Sequence, residues 1–131
     1  MEIIVSYEQG NVPITIFHIK GDLGDEEVLT AEARKAYENG TRNLVLDLTD
    51  VPYISSGGLR GLHSVWMLLR EDTSEAGSKA IRTGIVQGTY RSRHFKLLNP
   101  SKNAQKALSV SGYDMFLEIH KRRQDALNSF A

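Results

Sequence analysis

The sequence predicts an α/β domain in which helices pack on a mixed β-sheet. Short strand-like apolar runs alternate with helical apolar patterns along the 131 residues, in the order ββαβαβαβα. Only a short turn joins the first two strands, which makes them antiparallel, whereas helical patterns separate the later strands. The chain is long enough for one domain with a real core and too short for two, so we expect residues 1–131 to form a single domain.

The first half of the chain supplies three strands and one helix. Residues 1–7 and 12–19 are typical of two strands joined by a glycine-containing turn. An acidic first turn with Asp25 as its N-cap starts the first helix, and Asn39-Gly40 ends it. The apolar run at residues 43–48 predicts a central strand that is buried on both faces.

The second half of the chain begins with a helix at residues 57–70, whose apolar stripe has i, i+3, i+7 spacing. Residues 71–92 are polar and contain glycine, and we expect either an extra strand around residues 84–87 or a mobile loop there. The stripe of the helix consists of Leu59, Leu62, Trp66 and Leu69. The remaining predicted elements are a strand at 94–98, a helix from 101 to 110, a strand at 113–117 and a terminal helix at 119–130, which gives a sheet of four to six strands.

Composition excludes several classes of function. The chain carries 16 basic and 16 acidic side chains, so it lacks the positive excess of a nucleic-acid-binding protein. It contains no cysteine, which excludes disulfides, thiolate catalysis and thiolate metal sites. The four histidines lack metal-ligand spacing, and no cofactor is expected. Neither a signal peptide nor an apolar stretch of about 20 residues is evident, so we expect a cytoplasmic protein with no membrane partner.

Two serines stand where the third strand gives way to the second helix. Ser55 and Ser56 are followed by Gly57 and Gly58, and the helical apolar pattern starts at Leu59. The start of a helix carries unpaired N–H groups and the positive end of the helix dipole. A hydroxyl placed there can cap the helix, and it can also carry a phosphate, which the local field favours.

The same residues raise two enzymatic alternatives, and the local motifs favour neither. The Gly57-Gly58 pair matches no dinucleotide-binding or Walker motif, so these glycines are more typical of a tight turn or of close approach by a partner's backbone. A serine hydrolase built on Ser56 with Asp47 or Asp50 would need a Gly-x-Ser-x-Gly elbow, whereas residues 54–58 read Ile-Ser-Ser-Gly-Gly. We therefore expect no catalysis, and a nucleophilic Ser56 is the competing enzyme hypothesis.

Three local motifs accompany this order of elements. They are Ile19-Lys-Gly-Asp-Leu23 after the second strand, the long segment Leu44 to Arg60, and Leu97-Leu-Asn-Pro-Ser101 before a helix that closes with Leu108 to Tyr113. Together they resemble the STAS family, the anti-sigma factor antagonists and their relatives. The resemblance extends over essentially the whole chain apart from residues 71–92, and it implies a single STAS-like domain.

The resemblance also implies a function in partner switching, with no chemistry performed by the domain itself. In this family the unmodified domain binds a serine kinase, the anti-sigma factor, of the histidine-kinase-like ATPase superfamily. The kinase phosphorylates a serine at the start of the second helix, which separates the two proteins, and a metal-dependent serine phosphatase reverses the modification. The resemblance implies Ser56 as the phosphorylated residue in this chain, with Ser55 as the alternative.

This chain departs from the family pattern in two places. Matching Gly58-Leu59 to the family's Gly-Leu puts Gly57 at the position of the phosphorylated serine and Ser55 at that of an aspartate. Gly24 occupies the acidic position of the family's Gly-x-Leu-Asp signature, with Asp25 beside it. These departures keep open a second hypothesis, a STAS domain that is never phosphorylated and that binds a small ligand, a transporter or another protein.

A partner that senses the state of Ser56 has to cover the start of the second helix. Arg60, His63 and Ser64 lie off the apolar stripe of that helix, and the turn at residues 21–25 leaves a neighbouring strand at the same sheet edge. The residues predicted to bind the partner are therefore Asp22, Asp25, Ser55, Gly57, Gly58, Arg60, His63 and Ser64.

Overall fold

The computed structural model describes residues 1–70, 75–88 and 90–130. Within these ranges, five strands form one mixed sheet in the order β1-β2-β3-β4-β5, with helices packed on it. This confirms the predicted α/β fold with a sheet of four to six strands. The elements are β1 (Glu2–Gln9), β2 (Pro13–Lys20), α1 (Glu26–Glu38), β3 (Leu44–Asp50), α2 (Ser56–Leu69), α3 (Glu75–Gln87), β4 (Phe95–Leu98), α4 (Lys102–Ser111), a 3-10 helix (Tyr113–Met115), β5 (Glu118–His120) and α5 (Arg123–Asn128).

Strands β1 and β2 form an antiparallel hairpin, and the later neighbours in the sheet are parallel. One row across the sheet passes through Val5, Phe17, Leu46, Leu97 and Ile119. Because successive side chains of a strand point to opposite faces, this register gives the sheet two separate faces. Because β2 and β3 are parallel, the loops to α1 and α2 leave the sheet at the same edge.

Two apolar cores lie on opposite faces of the sheet. The larger core joins α1, α2 and α4 to the sheet through fully buried side chains such as Leu29, Leu62 and Leu108. The smaller core lies beneath α5, where Leu127 and Phe130 pack with residues of β2, β3 and β4. Full burial of one such side chain stabilises the fold by about 1.5–3 kcal/mol, so the larger core dominates the stability.

A charged side chain lies inside the smaller core. Lys96 of β4 is 3% exposed, and its ammonium group donates to the carbonyl and hydroxyl oxygens of Ser129 at 3.0 and 2.9 Å. The ammonium nitrogen also lies 3.3 Å from Glu118 Oε2 and 4.6 Å from the ring centroid of Phe130. Because a buried ammonium group is tolerated only when its donors are paired, these contacts fasten the chain beyond α5 to the sheet.

Helix α1 begins at the predicted cap. Asp25 Oδ1 accepts a hydrogen bond from Val28 N at 3.1 Å, and two glutamates follow in the first turn, where the helix dipole favours acidic charge. Helix α4 begins in the same way at Ser101, whose hydroxyl accepts from Ala104 N and donates to Val51 O at 3.0 Å. The Ser101 contact ties the start of α4 to the loop that leads into α2.

The segment predicted as an extra strand or a mobile loop contains helix α3 instead. Ile81 and Ile85, four residues apart, lie on one face of this helix and pack against the larger core. Two glycines within α3 lower its helical propensity, which obscured the pattern in the sequence. The predicted strand around residues 84–87 is wrong, and the predictions for residues 71–74 and 89 lie outside the described residues.

The last part of the chain also differs from the prediction. Gly112 adopts a left-handed conformation with φ of +80° and ends α4, and the 3-10 helix follows directly. This tight path brings Phe116 and Leu117 into the larger core without a strand at residues 113–117. Strand β5 starts one residue after that range, and α5 occupies six residues rather than the predicted 119–130.

Candidate functional site at the start of helix α2

The loops that follow β2 and β3 lie side by side at one edge of the sheet. Leu23 and Ile54 form an isolated parallel bridge there. Leu23 N donates to Tyr53 O at 2.9 Å, and Ser55 N donates to Leu23 O at 3.0 Å. These bonds continue the pairing of β2 with β3 beyond the strands, so the chain enters α2 while hydrogen-bonded to the loop before α1.

Ser55 and Ser56 have different positions at the helix start. Ser55 is the N-cap of α2, and its Oγ accepts a hydrogen bond from Gly58 N at 3.3 Å. Ser56 is the first helical residue, and no hydrogen bond within the described part of the chain engages its hydroxyl. Both serines are exposed, and the first turn of α2 contains no acidic residue. Ser56 therefore presents its hydroxyl to solvent at a helix end that favours negative charge.

Gly57 and Gly58 are buried because the first turn of α2 rests on the loop after β2. A Cβ on Gly57 would lie 2.4 Å from Gly24 O, and a Cβ on Gly58 would lie 2.1 Å from Leu23 O, closer than real Cβ atoms approach an oxygen. The close approach suggested by the sequence is therefore made by the chain's own backbone. A serine at position 57 would not fit, which explains why the hydroxyls stand at positions 55 and 56.

Arg60 lies one turn into α2 and reaches toward the start of α1. Its Nε is 3.1 Å from Glu26 Oε2, and the two side chains are 63% and 40% exposed. A Cβ on Gly57 would lie 3.7 Å from Arg60 Nη2, which places the guanidinium group beside the residue that follows Ser56. Because an exposed ion pair contributes little stability, breaking the contact between Arg60 and Glu26 would cost little.

The structure brings most of the other predicted residues to the same surface. Asp22 and Asp25 are exposed and flank the two residues on which α2 rests. His63 is exposed, with its ring centroid 5.5 Å from that of Trp66. Ser64 is half-buried and lines the groove between α1 and α2 instead of facing outward. Contacts between these residues and a partner stay a prediction.

A polar cluster that the sequence analysis missed lies near the carboxyl ends of β2 and β3. His18 Nδ1 is 2.9 Å from Asp47 Oδ2, and His18 Nε2 is 2.8 Å from Asp50 Oδ2. Thr49 donates to Asp47 Oδ1 from its backbone N at 3.0 Å and from its hydroxyl at 2.6 Å. The backbone oxygen of Asp50 accepts from Gly21 N at 3.1 Å. The cluster therefore joins the last residues of both strands just before the site loops begin.

These contacts shift two pKa values. The hydrogen bond to Asp47 raises the pKa of His18 above its usual value, with help from Asp50 and against the effect of burial. Burial alone would raise the pKa of the Asp47 carboxyl group, but hydrogen bonds from Thr49 and His18 outweigh it and hold that pKa below its usual value. The cluster thus favours a protonated imidazole between two carboxylates. These ionic contacts link β2 to β3.

Several arrangements are absent from the described residues. No group of three or more His, Asp or Glu side chains there could bind a metal ion. No described helix has the length and apolar character needed to cross a membrane. In the same residues no hydrogen bond joins a histidine to Ser55 or Ser56, so the groups of the serine-hydrolase hypothesis are not assembled.

Comparisons with known proteins identify relatives of this fold. The family model of the STAS domain matches residues 4–75. A candidate anti-sigma factor antagonist from Thermotoga maritima is 18% identical with a TM-score of 0.60, and the match covers 93% of this chain and 90% of that one. An anti-sigma factor antagonist from Mycobacterium paratuberculosis is 16% identical with a TM-score of 0.68, and the match covers 98% and 93% of the two chains. At these identities the structures show a shared fold. No curated protein sequence matches the chain.

Proposed function

The chain belongs to the STAS domain family, and from that premise we propose that it is a protein-binding module of a bacterial partner-switching pathway. It acts as an anti-sigma factor antagonist in the cytoplasm, performs no chemistry itself, and is controlled by reversible phosphorylation of Ser56. Its partners are a serine kinase of the histidine-kinase-like ATPase superfamily, which acts as the anti-sigma factor, and a metal-dependent serine phosphatase.

The single observation that carries this proposal is the position of Ser56. Its hydroxyl is exposed at the first residue of α2 and has no hydrogen-bond partner in the described part of the chain, whereas the Ser55 hydroxyl already caps the helix. The Ser55 hydroxyl also lies beside the backbone of Gly24, 3.1 Å from where a Cβ on that residue would be. These differences support Ser56 over Ser55 as the phosphoacceptor.

A phosphate on Ser56 would act on the partner and leave the fold in place. Phosphoserine adds about −1.5 to −2 charges, which the helix dipole at the start of α2 favours. Arg60, whose guanidinium group lies beside Gly57, offers a counter-charge within the same protomer. A partner that covers this surface would have to desolvate the phosphate, so phosphorylation weakens binding without unfolding the domain.

The proposed interface combines two loops and one helix face. Arg60 and His63 contribute exposed side chains from α2. Gly57 and Gly58 let the first turn of α2 pack closely on the loop after β2, which fixes the position of the two serines. The full set proposed to form the partner surface is Asp22, Asp25, Ser55, Gly57, Gly58, Arg60, His63 and Ser64.

The phosphorylation step is tested with a serine kinase of the stated superfamily from the same organism. After incubation with ATP, mass spectrometry is expected to locate phosphate on Ser56 of the wild type and to find none on the Ser56→Ala variant. Ser55→Asn is the matched control, because asparagine also caps helices and should leave phosphorylation of Ser56 intact. Phosphate found only on Ser55 or on a serine outside α2 would overturn the assignment.

The switch itself is tested by calorimetric titration of the same kinase. Ser56→Ala is expected to bind like the wild type and Ser56→Asp to lose binding. Both variants should stay folded, since Ser56 is exposed and is not the helix cap, and such surface changes cost within about 0.5 kcal/mol. Wild-type affinity in Ser56→Asp would exclude a mechanism based on charge.

A further inference from the structure

A cavity of about 190 Å³ lies at the opposite end of α2 from the serines. It is partly open to solvent and is lined by the end of α2, helix α3 and the segment from Tyr90 to Phe95. Helix α2 has 14 residues, so its two ends are about 20 Å apart. The cavity is thus separate from the site at Ser56, and a ligand could occupy it whether or not that serine is phosphorylated.

Aromatic rings form much of the cavity wall. Trp66, Tyr90 and Phe95 line it, together with Leu69 and Ile81. Trp66 Nε1 donates to the Tyr90 hydroxyl at 3.0 Å, and the two rings meet edge to face with centroids 6.1 Å apart. These contacts fix the shape of the wall. A dry cavity of about 150 Å³ in another protein holds benzene, so this volume has room for one benzene-sized ring with a small substituent.

A positively charged side chain, that of Arg70, forms part of the wall. Arg70 follows the last turn of α2, and its backbone N–H donates to Trp66 O at 3.0 Å. Its guanidinium carbon lies 5.7 Å from the centroid of the Trp66 ring. Arg70 Nε is buried and has no hydrogen-bond partner among the described residues. Because a guanidinium group forms its strongest hydrogen bonds with carboxylates, the Arg70 side chain in the wall favours an anionic ligand in this cavity.

We propose that this cavity is a binding site for a small aromatic monocarboxylate of the size of benzoate or phenylacetate. The ring lies against Trp66, Tyr90 and Phe95, and the carboxylate accepts hydrogen bonds from Arg70. An aromatic ring suits this wall better than an aliphatic one because aromatic pairs gain from offset and edge-to-face contacts. The carboxylate supplies a counter-charge for the Arg70 side chain, which lines the cavity.

The chain provides its own reporter for this site. Trp66 is the only tryptophan in the sequence, so its fluorescence reports directly on the cavity wall. Titration with benzoate and with phenylacetate is expected to change this fluorescence saturably. Benzyl alcohol has a similar ring but no charge, and we expect it to bind about tenfold more weakly or worse. Cyclohexanecarboxylate keeps the charge without the aromatic ring and should also bind more weakly than benzoate.

Two pairs of variants test the contacts of the ligand's ring and of its carboxylate separately. Arg70→Met should weaken benzoate binding, whereas Arg82→Met, at an exposed arginine of α3, should not. Ile81→Phe should fill the cavity and abolish binding of both compounds. Ile85→Phe, at a half-buried residue of α3 outside the cavity wall, should leave binding intact. Thermal unfolding of each variant establishes that it is folded.

The proposal is overturned by any of three results with folded protein. The first is that Trp66 fluorescence shows no saturable change up to about 10 mM benzoate or phenylacetate, a concentration at which even weak binding to a site is detectable. The second is that the wild type binds benzoate and benzyl alcohol with equal affinity. The third is that Ile81→Phe binds benzoate as the wild type does. Calorimetry of the wild type with benzoate gives a second readout that does not depend on tryptophan.

Discussion

Replacing Gly58 by alanine tests the contact on which the candidate site is built. In an ordinary helix this change is stabilising, because alanine is favoured over glycine by about 1 kcal/mol. Here the new Cβ would lie 2.1 Å from Leu23 O, 2.9 Å from the carbonyl carbon of Leu23 and 3.0 Å from Ile54 Cγ2. The oxygen cannot simply withdraw, since it accepts the hydrogen bond from Ser55 N that ties the two loops together. We therefore expect Gly58→Ala to destabilise the domain.

The expected magnitude combines three contributions. Forcing a methyl group into a filled space costs about 1–3 kcal/mol, and loss of the bond from Ser55 N to Leu23 O costs about 0.5–1.5 kcal/mol. The helical preference for alanine returns about 1 kcal/mol. The free energy of unfolding should fall by about 2 kcal/mol, which lowers the Tm of a domain of this size by roughly 8 °C.

Urea and thermal unfolding followed by circular dichroism measure this effect. Gly24→Ala is the matched control in the same contact, because its Cβ would meet only the Ser55 side chain, with Oγ at 3.1 Å and Cβ at 4.0 Å, and would disturb at most the cap bond from Gly58 N, which is already long at 3.3 Å. We expect that control to lose less than about 1 kcal/mol. If Gly58→Ala is as stable as the wild type, or more stable, the first turn of α2 does not rest on the Leu23 carbonyl and the explanation of the glycine pair fails.

Two further predictions concern the polar cluster around His18 and the proposed partner surface. Because the pKa of His18 is raised in the folded protein, its stabilising effect is complete below the unfolded pKa of about 6.5 and is lost as the pH rises through the folded value. His18→Gln should therefore lower the free energy of unfolding more at about pH 5.5 than at about pH 8.5. The lowered pKa of Asp47 keeps its carboxyl group ionised at both pH values, so the difference reports on His18. A loss that grows with pH in urea titrations would contradict this. Arg60→Glu should weaken kinase binding by more than about 1 kcal/mol, while Lys121→Glu at an exposed lysine near α5 changes it little. The opposite order in a calorimetric titration would move the interface to the other side of the domain.

The sequence predicted those parts of the fold that local patterns encode. The hairpin, the cap at Asp25 and the apolar stripe of α2 are all confirmed, since each depends on residues close together in the chain. Helix α3 was missed because glycines interrupt its apolar pattern. Its two isoleucines, Ile81 and Ile85, can be recognised as the buried face of a helix only once their packing against the larger core is known. The short pairing of β5 likewise depends on where β4 lies.

The candidate site was predicted in position, while the contacts that build it were not. The serines at the start of α2 follow from the strand and helix patterns on either side of them. The burial of Gly57 and Gly58 against residues 23–24 is a contact across more than 30 positions of the chain, which no local spacing reveals. The pairing of His18 with Asp47 and Asp50 has the same origin, because it depends on the register of β2 against β3.

The bridge between the loops before α1 and α2 has a consequence for how Ser56 can be recognised. A peptide cut from residues 50–62 would lack the Leu23 and Gly24 carbonyls beneath it, and so short a segment does not form a helix in water on its own. If Ser56 is phosphorylated as proposed, the kinase would meet a surface assembled from two distant stretches of the chain. Newly made or unfolded copies lack that surface, so we expect phosphorylation only of molecules that have completed folding.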